Sequence, residues 1–427
     1  MRSLSSDARS GGRRPRPVAV FAIVMLAGVP LASSSPATAL WAAPAILLAA
    51  MMIAWAAESA QFFIAQGFAL AILAWLQTLP EFAVEFVLAW RQQVPLLLAN
   101  LTGALRLLTG LGWPMIYCVA AFFHRRRHGA PLRRIKLHEH HSVEVMGLLA
   151  PLVYVFFVWW KASLTVWDAV VLIGIYAAYL IVLSKMPPEG AEGADELEVI
   201  PRTIVKSSPP VRILIITGLF IAGGGLIYFA AEPFLGSLLA VSMALGIPSF
   251  VFVQWVAPLV SEFPEKVSAF YWARTVDRAP MALMNMVSSN INQWTLLAAM
   301  LPIVYSISRG AIAEIPLDAQ QRLELLMTIA QSLVGMVFLL NMELAWWEAT
   351  ALFALWGIQF GFSPVSPEAP GGIGFIATHI HWWVTVVYLL WAGLAIVRMF
   401  LGYRHPNAFL HFAHMWRTHV LKADVRA

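Results

Sequence analysis

Two glutamates directly follow prolines inside long apolar segments of the sequence. Pro80-Glu81 lies in AILAWLQTLPEFAVEF, and Pro264-Glu265 lies in FVQWVAPLVSEFPEKVSAF. A proline inside a helix removes a backbone N–H and kinks or breaks the helix, so carbonyls of the preceding turn lose their partners. Hard cations bind sets of carboxylate, carbonyl and hydroxyl oxygens. The two Pro-Glu pairs therefore predict a site for a cation.

An asparagine follows each Pro-Glu pair at nearly the same distance, which indicates an internal repeat. Asn100 begins the segment NLTGA about 19 residues after Glu81, and Asn285 begins NMVSSN about 20 residues after Glu265. A single ionisable residue in an apolar span is costly and is usually functional. Two of them in matching positions favour a shared function.

Pairing with a basic neighbour is the alternative explanation for the two glutamates. Arg106 and Lys266 are nearby basic residues that could act as partners. In that case the charges would only neutralise each other. The matching positions of the two Pro-Glu pairs make this explanation the weaker one.

The segments that carry these residues have the composition of membrane-spanning helices. Of 427 residues, 60% are hydrophobic and 12% are charged, whereas soluble domains carry about 25% charged residues. Apolar runs near the length of one bilayer crossing predict about twelve crossings, at 18–33, 39–57, 64–90, 95–123, 142–160, 166–184, 211–231, 247–270, 280–305, 322–341, 343–360 and 376–400. The lipid bilayer is the expected surroundings. No nucleic-acid partner is expected, because the basic residues lie in short loops.

Basic loops predict the topology, since cytoplasmic loops are enriched in Lys and Arg. With the N-terminus in the cytoplasm, the basic segments are all cytoplasmic: 124–141, 185–210, 271–279 and the tail after Arg398. We therefore expect both termini in the cytoplasm. The first run, 18–33, follows Arg13, Arg14 and Arg16 and is either a retained anchor helix or a cleaved signal peptide.

In this topology the two Pro-Glu segments cross the membrane in opposite directions. Inverted repeats of this kind are typical of secondary transporters, whose sites lie near the middle of the membrane on interrupted helices. The proline-rich, acidic stretch 185–210 predicts a hinge loop between the halves. The predicted divisions are 1–38 (tail and first helix), 39–184 (first half), 185–210 (hinge), 211–360 (second half) and 361–427 (extra helix and basic tail).

At these motifs the sequence resembles the sodium/calcium exchanger membrane-region family of the calcium:cation antiporter superfamily. Each half of that family carries a motif close to G-T-S-x-P-E, followed by G-N-x-x-G-S-N. The corresponding segments are LQTLPE (76–81) and ANLTGAL (99–105), then VSEFPE (260–265) and MNMVSSN (284–290). The resemblance implies an all-α polytopic membrane protein with an inverted five-plus-five helix repeat over 39–360 and an extra helix at each end.

The resemblance also implies which residues bind the cation. In the family both Pro-Glu carboxylates bind it, with oxygens of the preceding turn and polar side chains of the following helix. The implied ligands are Glu81 with Gln77 and Thr78, Glu265 with Ser261 and Glu262, and Ser289 with Gln293. At two first-half ligand positions stand Ala104 and Leu108, which cannot coordinate. Arg106 lies between them, and an ideal helix directs it away from the cavity, toward Glu85 or a neighbouring helix.

The function that the resemblance implies is antiport. A secondary antiporter would move Ca²⁺ or a similar cation against H⁺ or Na⁺ by alternating access, with inorganic cations as partners and no cofactor besides the transported cation. Crowded carboxylates repel one another, so one of them is expected to take a proton when the cation leaves. The missing first-half ligands favour H⁺ over Na⁺.

Two other classes of function remain as alternatives. A scaffold or sensor that keeps the fold without transport would also explain the missing ligands. An enzyme is disfavoured, because the sequence contains no evident nucleophile with a base partner. The HEHH segment at 138–141 offers imidazole ligands for zinc, but it lacks the helical spacing of a metalloprotease motif and is interpreted as part of a basic loop.

Cysteine accessibility tests the predicted topology. Cys118 is the single native cysteine, and its replacement by serine gives a cysteine-free background. Cysteines introduced at Ala130 and Asp195 are expected to react with a membrane-impermeant maleimide from the cytoplasmic face only, because both lie in basic loops. Labelling of either position from outside would contradict the topology.

Overall fold

The structure is a computed structural model that describes residues 35–60, 63, 75–76, 78–186, 197, 199–366, 368–403 and 405–421. Four predicted features lie wholly or partly outside these residues: the first apolar run at 18–33, residues 64–74 of the run 64–90, the site candidate Gln77 and the acidic part of the hinge. The described chain is mostly helical, as the predicted all-α class requires.

The described residues up to 186 form a series of helices. They are α1 (Ala39–Ala60), α2 (Leu79–Trp90), α3 (Val94–Leu107), α4 (Trp113–His128), α5 (Ser142–Gly147), α6 (Leu149–Lys161) and α7 (Val166–Leu183). A π turn at Leu108–Gly112 joins α3 to α4. One-turn 3₁₀ helices at Pro36–Thr38 and Glu139–His141 precede α1 and α5.

The described residues after 198 form a second series. They are α8 (Val199–Val205), α9 (Pro209–Leu245), α10 (Ser249–Ser261), α11 (Phe263–Arg274), α12 (Ala279–Asn292), α13 (Ala298–Arg309), α14 (Ala319–Leu339), α15 (Trp346–Phe362), α16 (Ile373–Phe400) and α17 (Asn407–Met415). A π turn at Gln293–Leu297 joins α12 to α13, and another at Trp416–Val420 follows α17.

Seven helical segments of the described chain are long and apolar enough to cross a bilayer. They are Pro36–Ala60, Val94–His128, Glu139–Lys161, Val166–Leu183, Pro209–Leu245, Ala319–Leu339 and Ile373–Phe400. The run 343–360 forms the shorter helix α15, and the run 247–270 is divided at Glu262 into α10 and α11. Length and composition alone therefore do not confirm twelve crossings.

Two segments of the chain fold in the same way. The helices α2 and α11 each have 12 residues, and the second residue of each is the proline of its Pro-Glu pair. The helices α3 and α12 each have 14 residues, also with proline second, and each continues into a five-residue π turn. Proline is tolerated there because N–H groups of a first turn have no helical partner. The prolines thus begin new helices rather than kink continuous ones.

Two short antiparallel strand pairs connect the two series of helices. The strand β1 (Arg134–Lys136) pairs with β4 (Glu343–Ala345), and β2 (Ser163–Leu164) pairs with β3 (Ile315–Pro316). A salt bridge across the first pair, Arg134 to Glu343 at 2.8 Å, raises the pKa of the Arg134 guanidinium. Paired strands must share one side of a bilayer. The predicted topology meets this condition for both pairs.

Glycines allow close approach at two helix contacts. A Cβ on Gly103 of α3 would lie 1.8 Å from the backbone oxygen of Gln254 on α10. A Cβ on Gly223 of α9 would lie 3.0 Å from the backbone oxygen of Ala49 on α1. Small residues let helix backbones approach in this way in membrane proteins. The contact at Gly103 joins α3, which follows α2, to α10, which precedes α11.

Substitution of Gly103 by alanine tests the contact between α3 and α10. Overpacking costs about 1–3 kcal/mol in a well-packed core, and the opposing atom is backbone that cannot rotate away. Gly103→Ala is therefore expected to lower the midpoint of thermal unfolding in detergent. Gly224→Ala is the matched control, because that position faces open space. Equal midpoints for the two variants would contradict the close contact.

Candidate cation-binding site

Glu81 and Glu265 occupy the same place in two short helices. Each is the third residue of its helix, in the first turn of α2 or α11. N–H groups of a first turn lack helical partners, and the helix dipole is positive there. The two carboxylates are 0% and 1% exposed. Each carboxylate therefore lies at the positive end of its own helix dipole.

Gln293 joins carboxylates from the two halves of the chain. It is the first residue of the π turn after α12. Its amide nitrogen donates to Oε2 of Glu81 at 2.7 Å and to Oε1 of Glu262 at 2.9 Å. Because one nitrogen contacts both carboxylate oxygens, the distance between these two oxygens is no larger than the sum of the two hydrogen-bond lengths. Residues far apart in sequence thus meet at one point.

Glu265 completes this group of carboxylates. It lies within electrostatic reach of Glu81 and Glu262. Ser289 of α12 lies beside it, but neither oxygen of Glu265 has a hydrogen-bond donor in good geometry within the described part of the chain. We call Glu81, Glu262 and Glu265 the carboxylate cluster.

A lysine lies in the carboxylate cluster. Lys266 Nζ lies 2.6 Å from Oε2 of Glu262, one helical turn away, and the lysine is only 6% exposed. Its charge also acts on Glu81 and Glu265. The alternative explanation of the sequence, in which Lys266 pairs with a Pro-Glu carboxylate, therefore assigned the wrong direct partner.

Two other predicted ligands lie at the helix breaks. The hydroxyl of Thr78 accepts a hydrogen bond from Nδ2 of Asn292 at 2.5 Å, and it donates to the carbonyl of Trp75 at 2.8 Å. The hydroxyl of Ser261 lies 3.5 Å from the carbonyl of Pro258. The motifs did not indicate Asn292, which ends α12 directly before Gln293. The available signal for Asn292 was its position next to Gln293, which is a predicted ligand.

A fourth buried carboxylate that the motifs do not indicate lies near the cluster. Glu85 is fully buried on α2, and its charge acts on Glu81. Its Oε1 accepts a hydrogen bond from Nδ2 of Asn100 at 3.0 Å. Its spacing of four residues from Glu81 was a signal, because residues at i and i+4 share a helix face. Glu85 is thus hydrogen-bonded to Asn100, the asparagine of the first repeat, and is not the partner of Arg106.

Only in the second half do polar side chains hold the two predicted ligand positions on the following helix. Counted from the starts of α3 and α12, Ala104 and Leu108 hold the positions of Ser289 and Gln293. Both are fully buried. Apolar side chains therefore fill the first-half positions, as the sequence indicated.

Arg106 belongs to a separate buried network. Its guanidinium lies 2.6 Å from Glu324, donates to Oε1 of Gln359 at 3.2 Å and lies 4.9 Å from the ring centroid of Trp255. Glu324 also contacts Nδ1 of His381 at 2.6 Å. These contacts join α3 to α14, α15 and α16. Arg106 thus faces a neighbouring helix, which was one of the two predicted possibilities, and the Glu85 alternative is wrong.

Several buried oxygens at the cluster have no hydrogen-bond donor in good geometry among the described residues. They are Oε1 of Glu81, both carboxylate oxygens of Glu265, Oγ of Ser289 and Oε1 of Gln293. Buried polar atoms are nearly always paired. Carboxylate, hydroxyl and amide oxygens are the ligands that hard cations such as Ca²⁺ take. This set of oxygen ligands therefore fits a hard cation as substrate.

The HEHH segment forms a second group of possible metal ligands. Ligand atoms of His138, His140 and His141 lie within 4.8 Å of one another. However, Nδ1 of His141 accepts the backbone N–H of His138 at 3.2 Å, which occupies that nitrogen. Glu139 contacts His411 of α17 at 3.4 Å, so the segment also holds the C-terminal helix. These contacts support the interpretation as a structural loop.

Known proteins resemble this chain in sequence and fold. The family described as sodium/calcium exchanger protein matches residues 34–185 and 215–363. The crystal structure of the H⁺/Ca²⁺ exchanger CAX is 30% identical, with a TM-score of 0.78, over 93% of this chain and 97% of that one. Native YfkE is 15% identical, with a TM-score of 0.52, over 86% of this chain and 99% of that one. Among curated protein sequences, none matches significantly.

A further solved structure shows the same fold. The sodium-calcium exchanger NCX_Mj, soaked with 100 mM Na⁺ and 10 mM Sr²⁺, is 16% identical, with a TM-score of 0.51. The superposition covers 79% of this chain and 98% of that one. At such identities NCX_Mj and YfkE support the fold alone.

The helical fold and the buried carboxylate cluster define a polytopic membrane transporter of cations. The chain belongs to the sodium/calcium exchanger protein family, whose match spans both segments that carry a Pro-Glu pair. Its relatives are exchangers and not enzymes. The resemblance based on Pro80-Glu81 and Pro264-Glu265 is thereby confirmed.

The buried pair of Arg106 and Glu324 gives a stability prediction. Removal of one partner of a buried ion pair costs about 3–5 kcal/mol, because the other charge stays buried. Arg106→Met is therefore expected to lower the thermal unfolding midpoint in detergent strongly. Arg106→Met with Glu324→Gln should recover much of that loss. Glu324→Gln alone completes a double-mutant cycle, because Glu324 has other partners, and losses that simply add in the double variant would show that the two side chains are not paired.

Proposed function

We propose that the protein is a secondary antiporter that moves Ca²⁺ or a similar divalent cation against H⁺ or Na⁺ by alternating access. The observation that supports this most is the single amide of Gln293 that contacts Glu81 and Glu262 beside Glu265. This contact gathers carboxylates from both halves around one point. Membership in a family of exchangers supports the same function.

In this proposal the carboxylate cluster holds the cation. Glu81 and Glu265 are its charged ligands, and Glu262 is available when Lys266 moves aside. Neutral oxygens complete the shell, and the candidates are Thr78, Ser261, Ser289, Gln293 and Gln77. Calcium accepts six to eight oxygens at about 2.3–2.6 Å, which a cluster of this size can supply with water.

Protons are the counter-ion that we favour. Carboxylates that crowd together in a low-dielectric site repel each other, so departure of the cation favours uptake of a proton. Binding of several Na⁺ ions would call for neutral oxygens from both halves, and Ala104 and Leu108 provide none. The 30% identical relative is an H⁺/Ca²⁺ exchanger, which supports the same choice.

The architecture that we propose for this mechanism is an inverted pair of five-helix halves. The halves are 39–184 and 211–360, joined by the hinge 185–210, with extra elements at 1–38 and 361–427. About twelve crossings place both termini in the cytoplasm. Equal helix lengths and matching π turns in the two segments support the repeat. The basic loops support the orientation.

Removal of either Pro-Glu charge tests the site. Glu81→Gln and Glu265→Gln are each expected to abolish cation exchange by reconstituted protein, because the amide keeps the shape but lacks the charge that binds a cation. Uptake of ⁴⁵Ca²⁺ into proteoliposomes measures this. Glu314→Gln is the matched control, since that glutamate is exposed in the loop after α13. Uptake at the wild-type rate by either cluster variant would show that the substituted glutamate is not part of the cation site.

Imposed gradients identify the counter-ion. An outward H⁺ gradient is expected to drive Ca²⁺ uptake, and an outward Na⁺ gradient is expected to drive it less. Stronger drive by Na⁺ would reverse the assignment of the counter-ion. Uptake that ignores both gradients would contradict antiport and favour the scaffold or sensor, which the missing first-half ligands allow.

A further inference from the structure

We propose that Lys266 is a tethered competitor of the transported cation. Its ammonium holds Glu262 until a cation displaces it, and it thereby sets the affinity of the site. This inference rests on the proposed function and concerns the same cluster. It adds a specificity-determining residue that the two Pro-Glu motifs do not contain.

The geometry of Lys266 is that of a resident cation. Its Nζ lies 2.6 Å from Oε2 of Glu262, while Oε1 of the same carboxylate accepts the Gln293 amide at 2.9 Å. Both charged residues are almost fully buried. The ammonium also acts electrostatically on Glu81 and Glu265. A positive charge on the protein thus lies where a bound cation would meet the same carboxylates.

The internal repeat indicates that Glu262 and Lys266 belong together as a pair. Counted from the starts of α2 and α11, Thr78 holds the position of Glu262, and Phe82 holds that of Lys266. The first half therefore has neither the carboxylate nor the ammonium. The second half has both, one helical turn apart. A carboxylate added only to strengthen cation binding would not need a lysine beside it.

Competition of this kind has a predictable effect on affinity and on ion choice. When the cation leaves, Lys266 prevents three carboxylates from facing one another without a counter-charge. When a cation enters, it must displace the ammonium from Glu262. The attraction between ion and carboxylate scales with charge, so a divalent cation displaces a lysine more readily than a monovalent one. Lys266 thus weakens binding overall and favours divalent cations.

Equilibrium binding of Ca²⁺ to the full-length protein in detergent tests the proposal without a requirement for transport. Lys266→Met is expected to lower the Kd for Ca²⁺ by about tenfold or more, because Glu262 becomes free to bind the cation. Lys266→Arg keeps the charge and should show much less of this gain. Lys161→Met is the matched control, because that lysine pairs with Asp168 away from the cluster.

A second substitution tests whether the gain depends on Glu262. Adding Glu262→Gln to Lys266→Met is expected to cancel the gain in affinity, since the freed carboxylate is what produces it. The double variant also removes both buried charges together, so it guards against misfolding of the single variant. Na⁺ is expected to compete with Ca²⁺ more strongly in Lys266→Met than in the wild type.

The outcomes separate this inference from the proposed function. An unchanged or higher Kd in Lys266→Met, with normal binding by the wild type, would overturn the competitor role. Tighter binding that persists in the double variant would overturn it as well. If binding follows the expectation but proteoliposomes move no cation, the antiport function alone fails. If neither the wild type nor any variant binds Ca²⁺, both proposals fail.

Discussion

Burial of carboxylates away from water is the physical constraint on which the rest of this structure depends. Removal of an ionised group from water costs several kcal/mol even after the protein relaxes, so each buried charge needs a donor or a cation. Among the described residues this need is met at Glu81 by the Gln293 amide and at Glu262 by that amide and the Lys266 ammonium, whereas both oxygens of Glu265 lack a donor. The breaks before α2 and α11 place both carboxylates in the first turn of a helix, at the positive end of its dipole.

The two halves share a backbone plan but divide the chemistry unequally. Matching helices and π turns place α3 and α12 alike. Yet the second half contributes Gln293 and the pair of Glu262 and Lys266, whereas the first contributes Glu85 with Asn100. An extra residue per turn in a π segment changes the direction of the side chains that follow, and such segments are frequent at functional sites. The repeat thus determines the positions of the helices, and individual side chains determine the charge at the site.

The helix α16 lies beyond the range of the motif resemblance but is part of the buried charge system. His381 on α16 contacts Glu324, which holds Arg106 of α3. Gln254 of α10 donates to the same carboxylate at 2.9 Å. Removal of any one partner would leave a buried charge or polar group unmatched. The network therefore joins α3, α10 and α16 to α14.

The sequence by itself determined the membrane class, the approximate positions of the helices and the two Pro-Glu carboxylates. These depend on local composition and on proline, which acts within its own turn. It did not determine the partners of the charges. For Lys266 the sequence suggested a Pro-Glu carboxylate as the partner, and for Arg106 it suggested Glu85 or a neighbouring helix. Only the tertiary structure decided these pairings. Glu324 is far from Arg106 in sequence, so spacing does not indicate that the fold brings them together. Glu262 is one helical turn from Lys266, but spacing alone does not show that the ammonium contacts it and not Glu265.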